Sequence, residues 1–346
     1  MAAPKSPSGG PVTLKALAAH LNLAHTTVSR ALSDHPHISS ETKYRVKKAA
    51  RDLGYIANSG ARLLRTGHSP VIGLLVPDIT NEFYSSVARI LAEECSDSGR
   101  PLVLSVSEDD PQRELALIQA LIGARPAALV VTLTANPKKE TILKLRGTPV
   151  IQFLRSDPRV HGHSMTINDV LGGRLAGEHL ADLGHTEIGF IGVPETLSTG
   201  AARLRGFRSG LADRGVVFLS ELLRLCSPNA DAGGRAFAEL MALKKPPTAI
   251  FIASPQLALG VARVAQEQKL RVPADVSLVA YGNSSWFNFF AGGLTAVSLP
   301  VQELATAASS ILFHDLKRGT TDGVAPTAAA LAPALIKRAS TCKARG

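Results

Sequence analysis

Arg30 lies on a short amphipathic stretch with His25, Thr26 and Ser29, while Val28 and Leu32, four residues apart, share the opposite face. A guanidinium carries a two-pronged donor that matches guanine O6 and N7, and Ser and Thr hydroxyls suit phosphate or either base edge. Other combinations of reactive residue types do not add up to catalysis. His161-Gly162-His163 sets two imidazoles in a glycine loop with no Cys or acid close by, well short of a zinc signature. Ser40-Glu41-Thr42-Lys43 fits the S-x-x-K pattern of some acylating enzymes, but it falls at a helix start, where capping explains it. Gly172-Gly173 opens a helix without a G-x-G-x-x-G or Walker pattern. Cys95, Cys226 and Cys342 are few, odd in number and far apart, which supports neither a disulfide framework nor a Cys-based zinc site. The chain is expected not to be an enzyme and to need no cofactor or metal.

The elements that must position Arg30 are short helices. Thr13 caps a stretch with Leu14, Leu17, Ala18 and Leu21 on one face, and Asn22-Leu23-Ala24 breaks it. The Arg30 stretch follows, then an Asp34–His37 loop. Ser39 caps a third helix, with Val46, Ala49, Ala50 and Leu53 inward and Gly54 at its end. Two short helices joined by a three-to-four-residue turn make a helix-turn-helix, whose second helix enters the major groove. A plain three-helix bundle without a DNA role has the same periodicity.

Charge points the same way. Residues 1–69 carry ten Lys/Arg against three acids, a net of +7. The other 277 residues carry 28 basic and 25 acidic side chains, so they supply only +3 of the total +10. A basic, helix-rich N-terminal module is an electrostatic footprint for nucleic acid, although a solvated helix surface is the plain alternative. No apolar run approaches the ~18 residues of a membrane span, and the polar first ten residues lack the apolar stretch of a secretory signal. The expectation is a soluble cytoplasmic protein with no membrane partner.

Beyond residue 70 short apolar β-branched runs alternate with helical stretches. Strands are expected over 72–76, 102–106, 128–132, 150–153, 188–191, 249–253 and 277–281. Helices are expected over 85–96, 112–122, 141–145, 170–183, 202–213, 235–243, 256–268 and 301–318. This alternation predicts parallel sheets covered by helices on both faces, with a ligand cleft between two such sheets.

Four spaced motifs carry a specific resemblance. Thr13-Leu14-Lys15-Ala16-Leu17-Ala18, Thr27-Val28-Ser29-Arg30-Ala31-Leu32, Leu53-Gly54-Tyr55 and Leu64-Arg65-Thr66-Gly67 resemble the LacI/GalR family of bacterial transcription regulators. The likeness continues through 71–78, Asn81-Glu82-Phe83-Tyr84, Leu183-Gly184-His185, 188–192, 272–277 and Arg338-Ala339-Ser340-Thr341. It implies an N-terminal all-α helix-turn-helix domain plus an α/β core of two periplasmic-binding-protein-like subdomains, each a doubly wound parallel sheet. The implied order is a tail over 1–11, the helix-turn-helix domain over 12–58, a hinge helix and linker over 59–70 and the core over 71–341. Within the core, one subdomain is expected to hold about 71–164 and 297–319, the other about 165–296 and 320–341. The resemblance places Thr13, Ala24, His25, Thr26, Thr27, Ser29, Arg30, Asn58, Arg62, Leu64 and Arg65 at DNA, with Leu64 as an apolar minor-groove wedge. Ala24 stands where the family usually has a Ser cap, a loss of roughly 1 kcal/mol. Gly60 stands where the family more often has Ala or Val, which implies a hinge that folds only on DNA.

For a small-molecule effector the resemblance implies Asn81, Phe83, Arg155, Asn168, Arg203, Ser254 and Asn283. Ser254-Pro255-Gln256 and Gly282-Asn283 stand where the family commonly shows carboxylates. Losing two acceptors while keeping Arg203 and Arg155 shifts the expected effector, among sugars, sugar acids and sugar phosphates, toward an anion. For Arg155 a structural ion pair is the alternative. Trp286, Phe287, Phe289 and Phe290 suit packing better than the cleft mouth. The implied function is a repressor that binds a palindromic double-stranded operator as a homodimer under effector control. A sensing protein without a DNA role, or a repressor that has lost its effector response, are the alternatives.

Overall fold

Side-chain caps and left-handed stops delimit the N-terminal helices. In the computed structural model, which describes residues 12–55, 69–318 and 326–345, the chain divides into two compact units at Ser69–Pro70. The expected tail and the positions of Asn58, Arg62, Leu64 and Arg65 lie outside the described residues. Thr13 caps α1 (Leu14–Leu21), its Oγ1 accepting from the Ala16 N–H at 3.2 Å. Asn22 ends α1 at φ 52°, so that the N–H groups of Leu23 and Asn22 satisfy the carbonyls of Ala18 and Ala19. α2 (His25–Leu32) starts at Ala24 with no side-chain cap, and α3 (Ser40–Asp52) starts at Ser39, whose Oγ accepts from the Thr42 N–H. The three helices bury Leu17, Ala18, Val28, Ala31, Val46, Ala49 and Ala50 against one another.

The second unit holds two six-stranded sheets. The first, all parallel, contains β1 (Ile72–Val76), β2 (Leu102–Val106), β3 (Ala128–Val131), β4 (Val150–Phe153), β5 (His163–Ile167) and β11 (Ala328–Leu331) in the order β11-β5-β4-β3-β1-β2. The second contains β6 (Ile188–Gly192), β7 (Leu223–Leu225), β8 (Ala249–Ile252), β9 (Ser277–Tyr281), β10 (Thr295–Ser298) and β12 (Ala334–Ile336) in the order β12-β10-β9-β8-β6-β7; only β12 is antiparallel to its neighbour. Strands β1, β3, β8 and β9 are buried along their whole length, as strands covered on both faces must be.

Helices α4 (Glu82–Asp97) and α11 (Val301–Arg318) share a core with one face of the first sheet. On its other face lie α5 (Pro111–Gly123) and α6 (Lys139–Leu145). The second sheet carries α7 (Asp169–Asp182) and α8 (Ser198–Ala212) on one side, α9 (Ala230–Met241) and α10 (Pro255–Glu267) on the other. Among the described residues no helix is long and apolar enough to cross a membrane.

Five strands, β5, β7, β10, β11 and β12, were not expected, and three of them move the subdomain boundaries. β5 pairs with β4 and with β11, so residues 165–167 and 328–331 belong to the first sheet. β10 pairs with β9, so 297–298 belong to the second. The chain therefore leaves the first subdomain after Ile167 and returns after Ser298, within three residues of the expected bounds of about 164 and 297, and crosses again between Leu331 and Ala334, beyond the expected 319/320. These short strands are defined by partners far away in the chain, such as Ser164 opposite Ala328. Their own composition, AAAL and HSMTI, carries little β signal.

Candidate functional site

Parallel sheets expose their ligand-binding loops at the carboxyl ends of the strands. In the core, the loops after β1, β2, β4, β6, β7 and β8, with Tyr281 at the end of β9, converge on one cleft of ≈ 620 Å³. That size suits a small metabolite, given the ~300–1,000 Å³ of most ligand pockets. Of the expected residues, Asn81, Phe83, Arg155, Arg203 and Ser254 line it.

Arg155 follows Leu154, which takes φ 65° at the end of β4. Its guanidinium faces Asp109 with both terminal nitrogens and donates to the Leu133 carbonyl at 3.0 Å. Its Nε is buried without a partner. Asp109 is presented by a loop in which Glu108 and Asp109 both take φ 55°. Left-handed non-glycine residues of this kind concentrate at ligand clamps.

Arg203 lies on α8 and is buried. Its Nε donates to Asp169 Oδ1 at 2.7 Å, its Nη1 donates to the Ala253 carbonyl at 2.8 Å, and it lies 3.8 Å over the Tyr281 ring. The Tyr281 hydroxyl donates to the same Asp169 oxygen. Burial opposes its charge, but the Asp169 carboxylate beside it prevails and raises the guanidinium pKa. α7 and α8 reach this arrangement through glycine. A Cβ on Gly173 would stand 2.0 Å from the Arg203 carbonyl, and one on Gly206 would stand 1.9 Å from the Val170 carbonyl. Only glycine lets Asp169 and Arg203 come this close across two helices.

The structure corrects two expectations about the cleft. Asn168 does not line it: the side chain is exposed and caps α7 by accepting from the Leu171 N–H at 3.0 Å. Asn283 does not line it either; its Oδ1 accepts from Arg338 Nη2 at 2.7 Å beside a separate cavity of ≈ 220 Å³. Both arginines face carboxylates, Asp109 and Asp169, so for Arg155 the structural ion pair is present, and neither arginine brings an unmatched positive charge to the cleft.

Residues to which the sequence assigned no effector role complete the cleft: Asp78, Tyr84, Asp109, Thr199, Gln256 and Tyr281. Tyr84 closes the quoted motif Asn81-Glu82-Phe83-Tyr84, and burial pushes its hydroxyl up to about 12, so it stays a neutral donor. Phe287 is fully buried and Trp286 and Phe290 pack against its core, while Phe289 is exposed; none lines the cleft. His163 is engaged with Asp315 at 2.8 Å and accepts from the Thr327 N–H at 3.0 Å. Among the described residues no group of three or more His, Cys, Asp or Glu is placed to hold a metal ion.

The first unit turns a different surface outward. His25, Thr26 and Arg30 are exposed on α2, Thr27 and Ser29 are half-buried, and Ala24 and Thr13 are exposed at helix starts. Arg30 has no side-chain hydrogen bond among the described residues, which leaves its five donors available. Lys15, Arg45, Lys48 and Arg51 are also exposed on this unit.

Comparison with known proteins covers both units. Residues 13–58 match the model of bacterial regulatory proteins, lacI family, and residues 178–341 match a periplasmic binding protein-like domain. The HTH-type transcriptional repressor PurR of Klebsiella pneumoniae (strain 342) is 28% identical over 306 residues, 87% of this chain and 89% of that protein. Catabolite control protein A of Priestia megaterium is 26% identical over 314 residues, 90% of this chain and 94% of that protein. Among solved structures, the lac repressor dimer bound to operator and the anti-inducer ONPF superposes with a TM-score of 0.82 at 23% identity, covering 96% of this chain and 100% of that one. A complex of the transcriptional regulator CelR with cellobiose superposes with a TM-score of 0.71 at 25% identity, covering 95% of this chain and 99% of that one.

Proposed function

The chain belongs to the LacI family of bacterial regulatory proteins, and on that footing we propose that it represses transcription by binding a palindromic operator as a dimer, under the control of a small molecule held in the core cleft. The observation that carries this reading is one chain with two surfaces. An α2 face with an Arg30 unengaged among the described residues suits base edges, and a two-subdomain cleft with matched polar groups suits a metabolite.

The geometry supports the following roles. Arg30 reads a guanine, while His25 and Thr26 set which neighbouring bases are accepted. Exposed lysines and arginines of the first unit neutralise phosphates, so affinity falls with salt. In the core, Phe83 offers an apolar face. Arg155 and Arg203 are held by carboxylates, so they donate hydrogen bonds without an excess of positive charge. Because the cleft lies between two subdomains, a ligand that prefers one closure shifts the population toward it. Operator and effector affinities must then change each other by the same factor.

The edge strand β2 supports dimerisation. It presents Val103 and Leu104, each 41% exposed, on an unpaired sheet edge that needs covering.

A genomic selection tests the reading: purified protein is bound to sheared host DNA, with and without cell extract, and the retained fragments are sequenced. A shared palindrome, lost in an Arg30→Ala variant, is the expected result. No salt-sensitive enrichment under either condition would sink the regulator reading.

A further inference from the structure

Three carboxylates line the cleft, and two have cationic partners: Glu108 pairs with Arg113 at 2.8 Å and Asp109 with Arg155. Asp78 has none among the described residues. Both guanidinium groups in the lining are already matched, Arg155 by Asp109 and Arg203 by Asp169. The cleft therefore carries one uncompensated negative charge inside a chain whose net charge is +10.

Local structure aims that charge. Asp78 follows the carboxyl end of β1, and its Oδ1 accepts from the Thr80 N–H at 2.8 Å and the Thr80 hydroxyl at 2.6 Å. Its Oδ2 faces the opposite subdomain, where Gln256 Nε2 donates to it at 2.8 Å. Gln256 Nε2 also donates to Thr80 Oγ1 at 3.1 Å. Gln256 lies in the first turn of α10, whose N-cap Ser254 makes no capping bond. A helix N-terminus of this kind attracts anions. Asp78, bonded to that first turn through Gln256, already supplies the negative charge that an anionic ligand would bring.

We propose that Asp78 is a specificity-determining residue that sorts effectors by charge: it accepts hydroxyl or ammonium donors of an uncharged or cationic polyol and turns away carboxylates and phosphates. The inference rests on the reading of the cleft as the effector site. Discrimination here comes from repulsion of the wrong class as much as from attraction of the right one. The bond to Gln256 spans the two subdomains, so a ligand donor that takes Oδ2 also changes what holds them together.

The test separates the charge rule from the effector reading. Inorganic phosphate is titrated by calorimetry into the full-length wild type, Asp78→Asn and Asp78→Asn/Arg155→Gln, in chloride of equal ionic strength. Phosphate sites on the DNA-binding unit are common to all three and cancel in the differences. Asp78→Asn is expected to gain phosphate binding at least tenfold (about 1.4 kcal/mol) over wild type, and the added Arg155→Gln to remove the gain. Equal binding in wild type and Asp78→Asn, or a gain in Asp78→Asn that survives the added Arg155→Gln, overturns the proposal. Asp78→Ser, which retains a hydroxyl for the same turn, repeats the test should Asp78→Asn fail to fold. In a second arm, hexoses and amino sugars are titrated beside their phosphates and acids. Tighter binding of a phosphate or acid than of its parent sugar also overturns the charge rule. Silence of every sugar together with a positive phosphate arm counts against the effector reading and leaves the charge rule standing.

Discussion

Arg203 and Asp169 form a buried ion pair whose members are useful only together. Removing one partner leaves a buried charge unmatched, at a cost of about 3–5 kcal/mol. Arg203→Ala is therefore expected to lower the melting temperature sharply, and a melt within experimental error of wild type would refute the pairing. His179 makes a different kind of prediction. Burial lowers its pKa to about 4, and its Nε2 meets the Thr341 hydroxyl at 3.0 Å, tying the C-terminal segment to α7. The folded value lies below the unfolded one of about 6.5, so the unfolded chain binds more protons between the two. Stability then falls as pH drops from about 6.5 to 4. Thermal melts across that range are expected to show the decline, and His179→Gln to reduce it, with the buried His185, also lowered by burial, supplying the remainder. Arg203 was legible in the sequence through the family resemblance. Asp169 was not, because nothing local marks a carboxylate whose partner lies 34 residues away.

α2 begins without a side-chain cap, although its flanking residue Ala24 already has the extended backbone, φ −61° and ψ 140°, that a capping serine needs. Ala24→Ser is expected to stabilise the N-terminal unit by about 1 kcal/mol, seen as a later loss of helical circular dichroism on heating. Unchanged unfolding would show that α2 gains nothing from a cap. The α7–α8 pair is set by close backbone approach. Gly206→Ala forces a Cβ toward the Val170 carbonyl and is expected to cost about 1–3 kcal/mol or more, as overpacking does. Because Arg203 lies on the same helix, this variant should also weaken sugar binding in calorimetry; full retention of both stability and binding would contradict the packing described. The helices were legible from periodicity and caps, as Thr13 and Ser39 show. The edge strands were not, because a three-residue run such as Leu223–Leu225 becomes a strand only beside β6.

Dimerisation belongs to the whole molecule. A charge at Leu104→Glu on the β2 edge is expected to shift the protein toward monomer in sedimentation and to weaken operator binding at least tenfold. A dimer that persists would place the interface elsewhere. The same scale contains the sign of the cleft. The chain is strongly basic, yet the excess resides in residues 1–69, and the core adds only +3. Net charge thus described the DNA-facing unit well and the cleft not at all.

Helical periodicity, capping residues, the charge of the first 69 residues and the alternation of strand and helix are local properties, and the primary structure alone determined them. They sufficed for short N-terminal helices followed by a core of parallel sheets, and the family resemblance made the first unit a DNA-binding helix-turn-helix. The identity of each arginine's partner, the retreat of Asn168 and Asn283 from the cleft, the crossing points between subdomains and the lone charge of Asp78 emerged only with the folded core. Each depends on groups brought together from distant parts of the chain, and hydrogen bonds and ion pairs of that reach leave no pattern in local composition.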